Sequence, residues 1–272
     1  MMLRGQTVEY HSIDGVVVRT SDYGANDRYL SILTAKEGRI TLLSKGSRSL
    51  KGEQLPISQP FTYCNYEYYR KGSVNILKGG SVISSFYGIG KDLEAMALAY
   101  YLCDLVCELS DEGEEAEELL RLLLNSLYAL TVKGKYSQSL VKAAFEWRLA
   151  AISGYVPDLD RCECCGAECG ENAYLHVMNG ALLCGECLRR RGNLPRTEEE
   201  RGEDLLCPLT PSVLAAMRYC LKAPVERLFS FSLSEDGEAE GFARVAETYI
   251  LSHLGRGFGT LDYYHSTLEL SK

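Results

Sequence analysis

Apolar residues are concentrated in five short runs along the first third of the chain, and polar turns lie between the runs. The runs are rich in Val, Ile, Tyr, Phe and Thr and the turns contain Gly, Asp and Ser, a pattern that predicts β-strands. The predicted strands are Val16–Thr20, Tyr29–Thr34, Arg39–Ser44, Phe61–Arg70 and Val74–Ile83. Five strands without a long helix between them predict a small closed or partly open barrel, such as an OB-fold.

From Lys91 onward the spacing of apolar positions changes to three or four residues, which predicts helices. The predictions are a helix capped by Asp92, a helix over Leu119–Leu130, one capped by Ser137, one starting at Thr210–Pro211, and one over Gly241–Leu254. The charged stretch Arg189–Asp204 is interpreted as a surface linker. No apolar run reaches about 18 residues, so no transmembrane helix is expected. The N-terminus lacks the pattern of a secretion signal, so a cytoplasmic protein is expected.

The chain contains eleven cysteines, and four of them form two C-x2-C pairs separated by 18 residues. These four are Cys162, Cys165, Cys184 and Cys187. Their spacing is typical of a four-thiolate zinc site, in which each pair directs two sulfurs at one ion. Four thiolates saturate tetrahedral Zn²⁺, so the predicted ion is structural. Disulfides or unbound thiols are the alternatives, and Cys164 or Cys169 could replace a neighbour as ligand.

The predicted fold class is therefore α+β and multidomain. The N-terminal OB-fold barrel covers residues 1–83, and a mainly α-helical domain follows over residues 84–158 and 193–272. The zinc finger, residues 159–192, is inserted between the two helical parts.

Charge is distributed unevenly along the chain, whose net charge is −8. Residues 1–80 carry 11 Lys and Arg against 7 Asp and Glu, a net of +4, whereas the remainder carries −12. Only the predicted barrel can therefore attract a phosphate backbone. Its tyrosines are candidates for base stacking, with barrel core or strand surface as the alternative: Tyr23, Tyr29, Tyr63, Tyr66, Tyr68 and Tyr69.

The sequence shows no signature of an enzyme. It contains no Gly-rich phosphate loop, no Ser-His-Asp arrangement and no open metal site, and its four histidines are scattered. A zinc-containing nucleic-acid module in transcription or RNA handling, or an adaptor that binds only proteins, fits the composition equally well.

Three segments in combination resemble the RecO family of bacterial DNA-repair proteins. Val16–Ser49 reads VVVRTSDYGANDRYLSILTAKEGRITLLSKGSRS and is similar to the N-terminal signature of the family. Ser85–Val106 reads SFYGIGKDLEAMALAYYLCDLV and is similar to the start of its helical domain. Phe145–Gly166 reads FEWRLAAISGYVPDLDRCECCG and resembles the approach to its four-cysteine finger. Beyond Pro224 the resemblance fades.

The resemblance implies a non-enzymatic, nucleoid-associated recombination mediator. Such proteins bind single- and double-stranded DNA, anneal complementary strands and work with RecR. They help to load recombinase onto strands covered by single-strand-binding protein, whose acidic tail docks on the helical domain. The matching basic positions imply DNA contacts at Arg19, Arg28, Arg39, Lys45 and Arg48, to which charge adds Lys51. Arg121, Lys142 and Arg148 are candidate cations for an acidic partner, with helix-surface charges as the alternative.

Overall fold

A computed structural model describes residues 9–49, 51–132, 134–192, 205–233 and 237–270. Contacts within the chain divide it into two compact units. The first contains Met1–Val132 and Phe258–Lys272, and the second contains Lys133–Gly257. Most of the predicted linker, residues 193–204, lies outside the described residues, and Arg189 belongs to a helix.

The N-terminal barrel is closed by five strands in the order β1-β2-β3-β5-β4. The strands are β1 Tyr10–Tyr23, β2 Asp27–Thr34, β3 Arg39–Ser44, β4 Tyr63–Lys71 and β5 Val74–Ser84. Neighbouring strands pair antiparallel except β3 and β5, which pair in parallel. All five predicted strands and the OB-like closure are confirmed. Strand β1 is longer than predicted because its polar ends pair with β4 at Tyr10 and with β2 at Tyr23.

The barrel interior is filled by apolar residues of the predicted strands. Val17, Leu30, Ile32 and Leu42 are fully buried in one cluster. Successive side chains of a strand point to opposite faces, so this alternation directs one set inward and leaves the other for solvent or for a helix.

The helices are α1 Leu93–Glu108, α2 Glu117–Thr131, α3 Gln138–Ile152, α4 Gly185–Gly192, α5 Pro211–Lys222, α6 Glu238–Leu254 and α7 Gly259–Leu270. Two predicted caps are confirmed: Asp92 accepts a hydrogen bond from the Ala95 amide, and Thr210 accepts one from the Val213 amide. Ser137 precedes α3, but its side chain makes no capping hydrogen bond. No helix among the described residues is both long and apolar enough to cross a membrane.

The first unit packs α1, α2 and α7 with the barrel. Helix α7 was not predicted. It packs along α1, where Thr260 donates to the Asp104 carboxylate at 2.8 Å and the rings of Tyr101 and Phe258 meet edge to face.

The second unit combines α3, α5 and α6 with a small sheet. Its strands are β6 Asp158–Cys162, β7 Ala173–His176, β8 Ala181–Cys184 and β9 Leu206–Leu209, in the order β6-β8-β7-β9. Trp147 of α3 is fully buried beside Tyr249 of α6, with ring centroids 5.0 Å apart. The sheet carries the cysteine pairs at the ends of two neighbouring strands.

Candidate metal centre and nucleic-acid interface

The two cysteine pairs converge because the strands that precede them are neighbours. Cys162 ends β6 and Cys184 ends β8, and these strands pair in parallel. Cys165 follows in the turn after β6, and Cys187 lies in the first turn of α4. The four sulfurs all lie within 4.8 Å of one another.

The spacing of these sulfurs fits a tetrahedral metal ion. Four thiolates about 2.3 Å from a central ion are separated from one another by about 3.8 Å. The Sγ atoms of Cys165 and Cys184 are 3.8 Å apart. The four cysteines predicted from spacing therefore form the group that the fold brings together.

Backbone amides support negative charge on this group. The Cys184 amide donates to the Cys162 sulfur at 3.3 Å, and the Cys187 amide donates to the Cys184 sulfur at 3.4 Å. Burial raises the pKa of the Cys162 thiol, but backbone N–H donors, first that of Cys184, outweigh burial and lower it to about 6. A thiolate is the form of cysteine that ligates metals.

The neighbouring cysteines lie outside the group of four. Cys164 is exposed, and Cys169 is buried beside the cluster. Burial, followed by the negative charge of the clustered thiols, raises the pKa of Cys169 to about 11. His176, a competing candidate in the finger, instead approaches the Glu163 carboxylate at 3.3 Å.

A cluster of basic side chains lies where the β1–β2 hairpin meets the loop after β3; we call Arg28, Lys45, Arg48 and Lys51 the basic loop cluster. Asp22 accepts hydrogen bonds or ion-pair contacts from Arg28 at 3.1 Å and from Arg48 at 3.3 Å. Arg48 also donates to the carbonyls at the hairpin tip, Gly24 and Ala25, at 3.2 Å each. Lys45 and Lys51 are exposed on the same loop.

The loop that carries this cluster is held by its own hydrogen bonds. The Gly46 amide donates to Asp27 at 2.9 Å, and the Arg48 amide donates to the Asn26 carbonyl at 3.0 Å. Gly52 approaches so closely that a Cβ atom there would lie 2.4 Å from the Gly46 carbonyl oxygen. The basic residues are thus presented on a preorganised backbone.

Two predicted DNA contacts are directed elsewhere. Arg19 donates to Asp104 of α1 at 2.7 Å, and Arg39 donates to the Ser110 carbonyl just after α1 at 3.2 Å. Neither guanidinium belongs to the basic loop cluster. We assign both to holding α1 against the barrel.

The candidate stacking tyrosines divide between surface and core. Tyr23 is 51% exposed, and its ring centroid lies 5.0 Å from that of Tyr29, on the hairpin that carries Arg28. Tyr66 is fully buried and donates to the Ile57 carbonyl, and Tyr68 is also buried. The stacking interpretation is therefore wrong for Tyr66 and Tyr68, which belong to the barrel core.

The three candidate cations for an acidic partner have different environments. Arg121 is exposed on α2. Lys142 is 3% exposed and lies 2.8 Å from Glu146 and 2.7 Å from Glu247. Arg148 is half-buried and donates to the Leu221 carbonyl. The structure thus corrects the placement of Lys142, which is an internal ion-pair residue, and of Arg148, which joins α3 to α5.

Sequence reasoning missed an aromatic cavity of about 370 Å³ at the end of the barrel. It is lined by the segment that enters β4 and the segment that leaves β5, together with the first turns of α1. The adjacent aromatic residues Phe86 and Tyr87, a few residues before the predicted helix capped by Asp92, were the available signal.

Comparison with known proteins covers nearly the whole chain. The family description "Recombination protein O N terminal" matches residues 8–86, and "Recombination protein O C terminal" matches residues 90–262. A protein of Acetivibrio thermocellus named DNA repair protein RecO is 28% identical over 256 residues, 94% of this chain and 96% of the relative. Proteins of the same name are 26% identical in Clostridium acetobutylicum, over 84% of this chain and 86% of the relative, and 28% identical in Symbiobacterium thermophilum, over 93% and 96%. The match extends well past Pro224, where the resemblance was expected to fade.

Proposed function

Because the chain belongs to the RecO family, we propose that it acts in DNA repair and recombination as a non-enzymatic DNA-binding mediator. The observation that carries the proposal is the match of both family regions, which together run from residue 8 to residue 262. The family membership supports the role in repair and recombination.

The DNA-binding step rests on the basic loop cluster of the barrel. Arg28 and Arg48 contact the Asp22 carboxylate, and Lys45 and Lys51 are exposed on the same loop, which hydrogen bonds hold against the hairpin. Cations at such a surface replace the counterions of phosphates, which favours binding and makes the affinity depend on salt. The exposed ring of Tyr23, on the same hairpin as Arg28, offers a stacking surface for a base.

The annealing step follows from strand binding. A protein that holds two complementary strands near one another raises their local concentration and speeds pairing without any covalent chemistry. We propose that the chain anneals strands covered by single-strand-binding protein, works with RecR, and thereby helps to load recombinase. Arg121 is retained as a candidate contact for the acidic tail of single-strand-binding protein because it is exposed on α2.

The four-cysteine centre is proposed to hold one structural zinc ion. Cys162, Cys165, Cys184 and Cys187 would fill all four tetrahedral positions, which leaves none for water or substrate. Bound zinc would cross-link the ends of strands β6 and β8 to helix α4. In a small sheet of four short strands, such a cross-link replaces a larger hydrophobic core.

A strand-annealing assay tests the proposal. Complementary DNA strands coated with single-strand-binding protein are mixed with the full chain, with and without RecR, and duplex formation is followed in time. We expect the chain to accelerate pairing and RecR to change the rate. Binding to structured RNA without annealing of DNA would favour the RNA-handling alternative, and partner binding without DNA binding at low salt would favour the adaptor.

A further inference from the structure

We propose that the aromatic cavity at the end of the barrel binds one unpaired nucleobase of single-stranded DNA, whose phosphate meets Lys91. The proposal rests on the DNA-binding function proposed above and names a second contact for the same strand. The cavity volume of about 370 Å³ is within the range of small-ligand sites. The residues that carry the argument are Phe61, Phe86, Tyr87, Lys91 and Tyr100.

The walls of the cavity offer aromatic faces. Phe61 and Tyr100 meet edge to face with ring centroids 4.9 Å apart, and Tyr100 remains 38% exposed. Tyr87 is 77% exposed, so its ring lies at the surface and not in the core. Proteins that bind single strands use such rings as platforms on which bases stack.

Two residues of the cavity have backbone angles that are uncommon for residues other than glycine. Phe61 has φ +64° and Phe86 has φ +43°, and they are the non-glycine residues with positive φ in the described part of the chain. Both line this cavity. Residues other than glycine rarely adopt the left-handed backbone conformation, and residues held in it are concentrated at functional sites.

The charge of the cavity selects an anionic ligand. Lys91 is the one charged residue among those lining it, and its ammonium group lies 5.4 Å from the centre of the Tyr87 ring. A ligand that presents a flat ring to Tyr87 therefore places an attached negative group near this ammonium. A nucleotide has both parts, a planar base and a phosphate.

The charge of one residue of the basic loop cluster reaches Tyr100, which lines the cavity. Burial raises the pKa of the Tyr100 phenol, whereas the positive charge of Arg28 acts on the same group and lowers it. Arg28 is thus near enough to Tyr100 for their charges to interact. The proposed strand therefore contacts both Arg28 and the cavity.

The test separates base contacts from phosphate contacts. Affinities of the full chain and of Tyr87→Ala are measured for an oligo-dT strand and for an abasic strand of the same length, which keeps the phosphates and lacks the bases. We expect Tyr87→Ala to weaken oligo-dT binding about tenfold and to leave abasic binding unchanged. Tyr87→Phe, which keeps the ring, should bind like the wild type. Tyr128→Ala is the matched control, since Tyr128 is 57% exposed on α2 and lies outside the cavity.

A fluorescent reporter supplies a second readout. The single native tryptophan, Trp147, is fully buried, so Tyr87→Trp places a distinguishable indole at the cavity. We expect oligo-dT to quench the fluorescence of this indole and the abasic strand to leave the fluorescence unchanged. Equal losses on both strands, or no loss on oligo-dT, would overturn the cavity proposal while leaving the DNA-binding function intact. A wild-type chain that binds neither strand at low salt would overturn both.

Discussion

The guanidinium of Arg19 donates to the carboxylate of Asp104 across 2.7 Å, which joins strand β1 of the barrel to helix α1. The other oxygen of Asp104 accepts from Thr260 at 2.8 Å, so one carboxylate contacts the barrel and α7 together. Arg19 of β1 therefore takes part in the packing of α1 against the barrel. This relationship separates the basic residues that stabilise the first unit from those proposed to meet DNA.

Replacing Asp104 should destabilise the chain more than replacing Arg19. Asp104→Ala removes both contacts and should lower the free energy of unfolding by about 1–2 kcal/mol, whereas Arg19→Ala, whose side chain is 55% exposed, should cost about 0.5 kcal/mol. Urea denaturation measures both. A large loss of DNA affinity in Arg19→Ala at unchanged stability would contradict the assignment of Arg19 to packing.

Lys142 should be essential to stability because it is the cation between two carboxylates. Lys142→Met leaves Glu146, which is fully buried, beside Glu247 without the ammonium that lies between them. Breaking such a buried pair costs about 3–5 kcal/mol, which urea denaturation would detect. Lys222→Met, on the exposed end of α5, is the matched control and should be nearly neutral.

The paired change Lys142→Met with Glu146→Met tests the reason. Removing both buried charges should recover a large part of the loss, since an apolar pair needs no compensation. A neutral Lys142→Met would show that Lys142 is a surface cation, as the sequence had suggested.

Local patterns predicted the elements of this fold well because their causes are local. The β-forming residues of Tyr29–Thr34 lie in β2, and Asp92 caps α1 through an amide three residues away. The spacing of Cys162, Cys165, Cys184 and Cys187 likewise encodes the metal centre directly.

The environment of single cations was not predictable in the same way. Arg19 meets a partner 85 residues away and Arg39 one 71 residues away, so nothing near either residue indicates its role. Helix α7 was missed for a related reason. Its buried positions Leu261 and Tyr264 are covered only in the folded chain, where α7 packs along α1.

Removing one cysteine of the four should release the proposed zinc. Cys184→Ser should reduce the metal content from about one ion per chain to nearly none, because three thiolates and a hydroxyl bind zinc far more weakly. Metal analysis after purification without added zinc is the measurement. Cys164→Ser, a change at an exposed cysteine outside the group, should keep the ion. Wild-type protein without metal, or Cys184→Ser with it, would refute the zinc site.

Alkaline pH should weaken the second unit through Tyr249. This residue is 1% exposed and donates to the Tyr155 carbonyl, and burial raises the pKa of its phenol to about 12. The unfolded tyrosine has a pKa of about 10, so the folded chain holds its proton longer. Stability is therefore present below about pH 10 and falls as pH rises toward 12, by up to about 2 kcal/mol.

The variant Tyr249→Phe isolates this contribution. It should be less stable at neutral pH, because the hydrogen bond to Tyr155 is lost, and its stability should fall less steeply above about pH 10. Urea midpoints at several pH values give the comparison. Parallel curves for the two proteins would show that Tyr249 does not contribute to the alkaline loss.

The central claim is that the barrel binds DNA through the basic loop cluster, and the salt dependence of binding tests it most directly. Affinities of the wild type and of Lys45→Glu with Arg48→Glu are measured for single- and double-stranded DNA over a range of salt. We predict that the double variant binds more weakly and that its plot of log affinity against log salt is flatter by about one to two units. Arg190→Glu with Lys222→Glu, which changes the net charge equally on the second unit, should leave the slope unchanged. Identical slopes for the wild type and Lys45→Glu with Arg48→Glu would contradict the account and place the DNA site elsewhere.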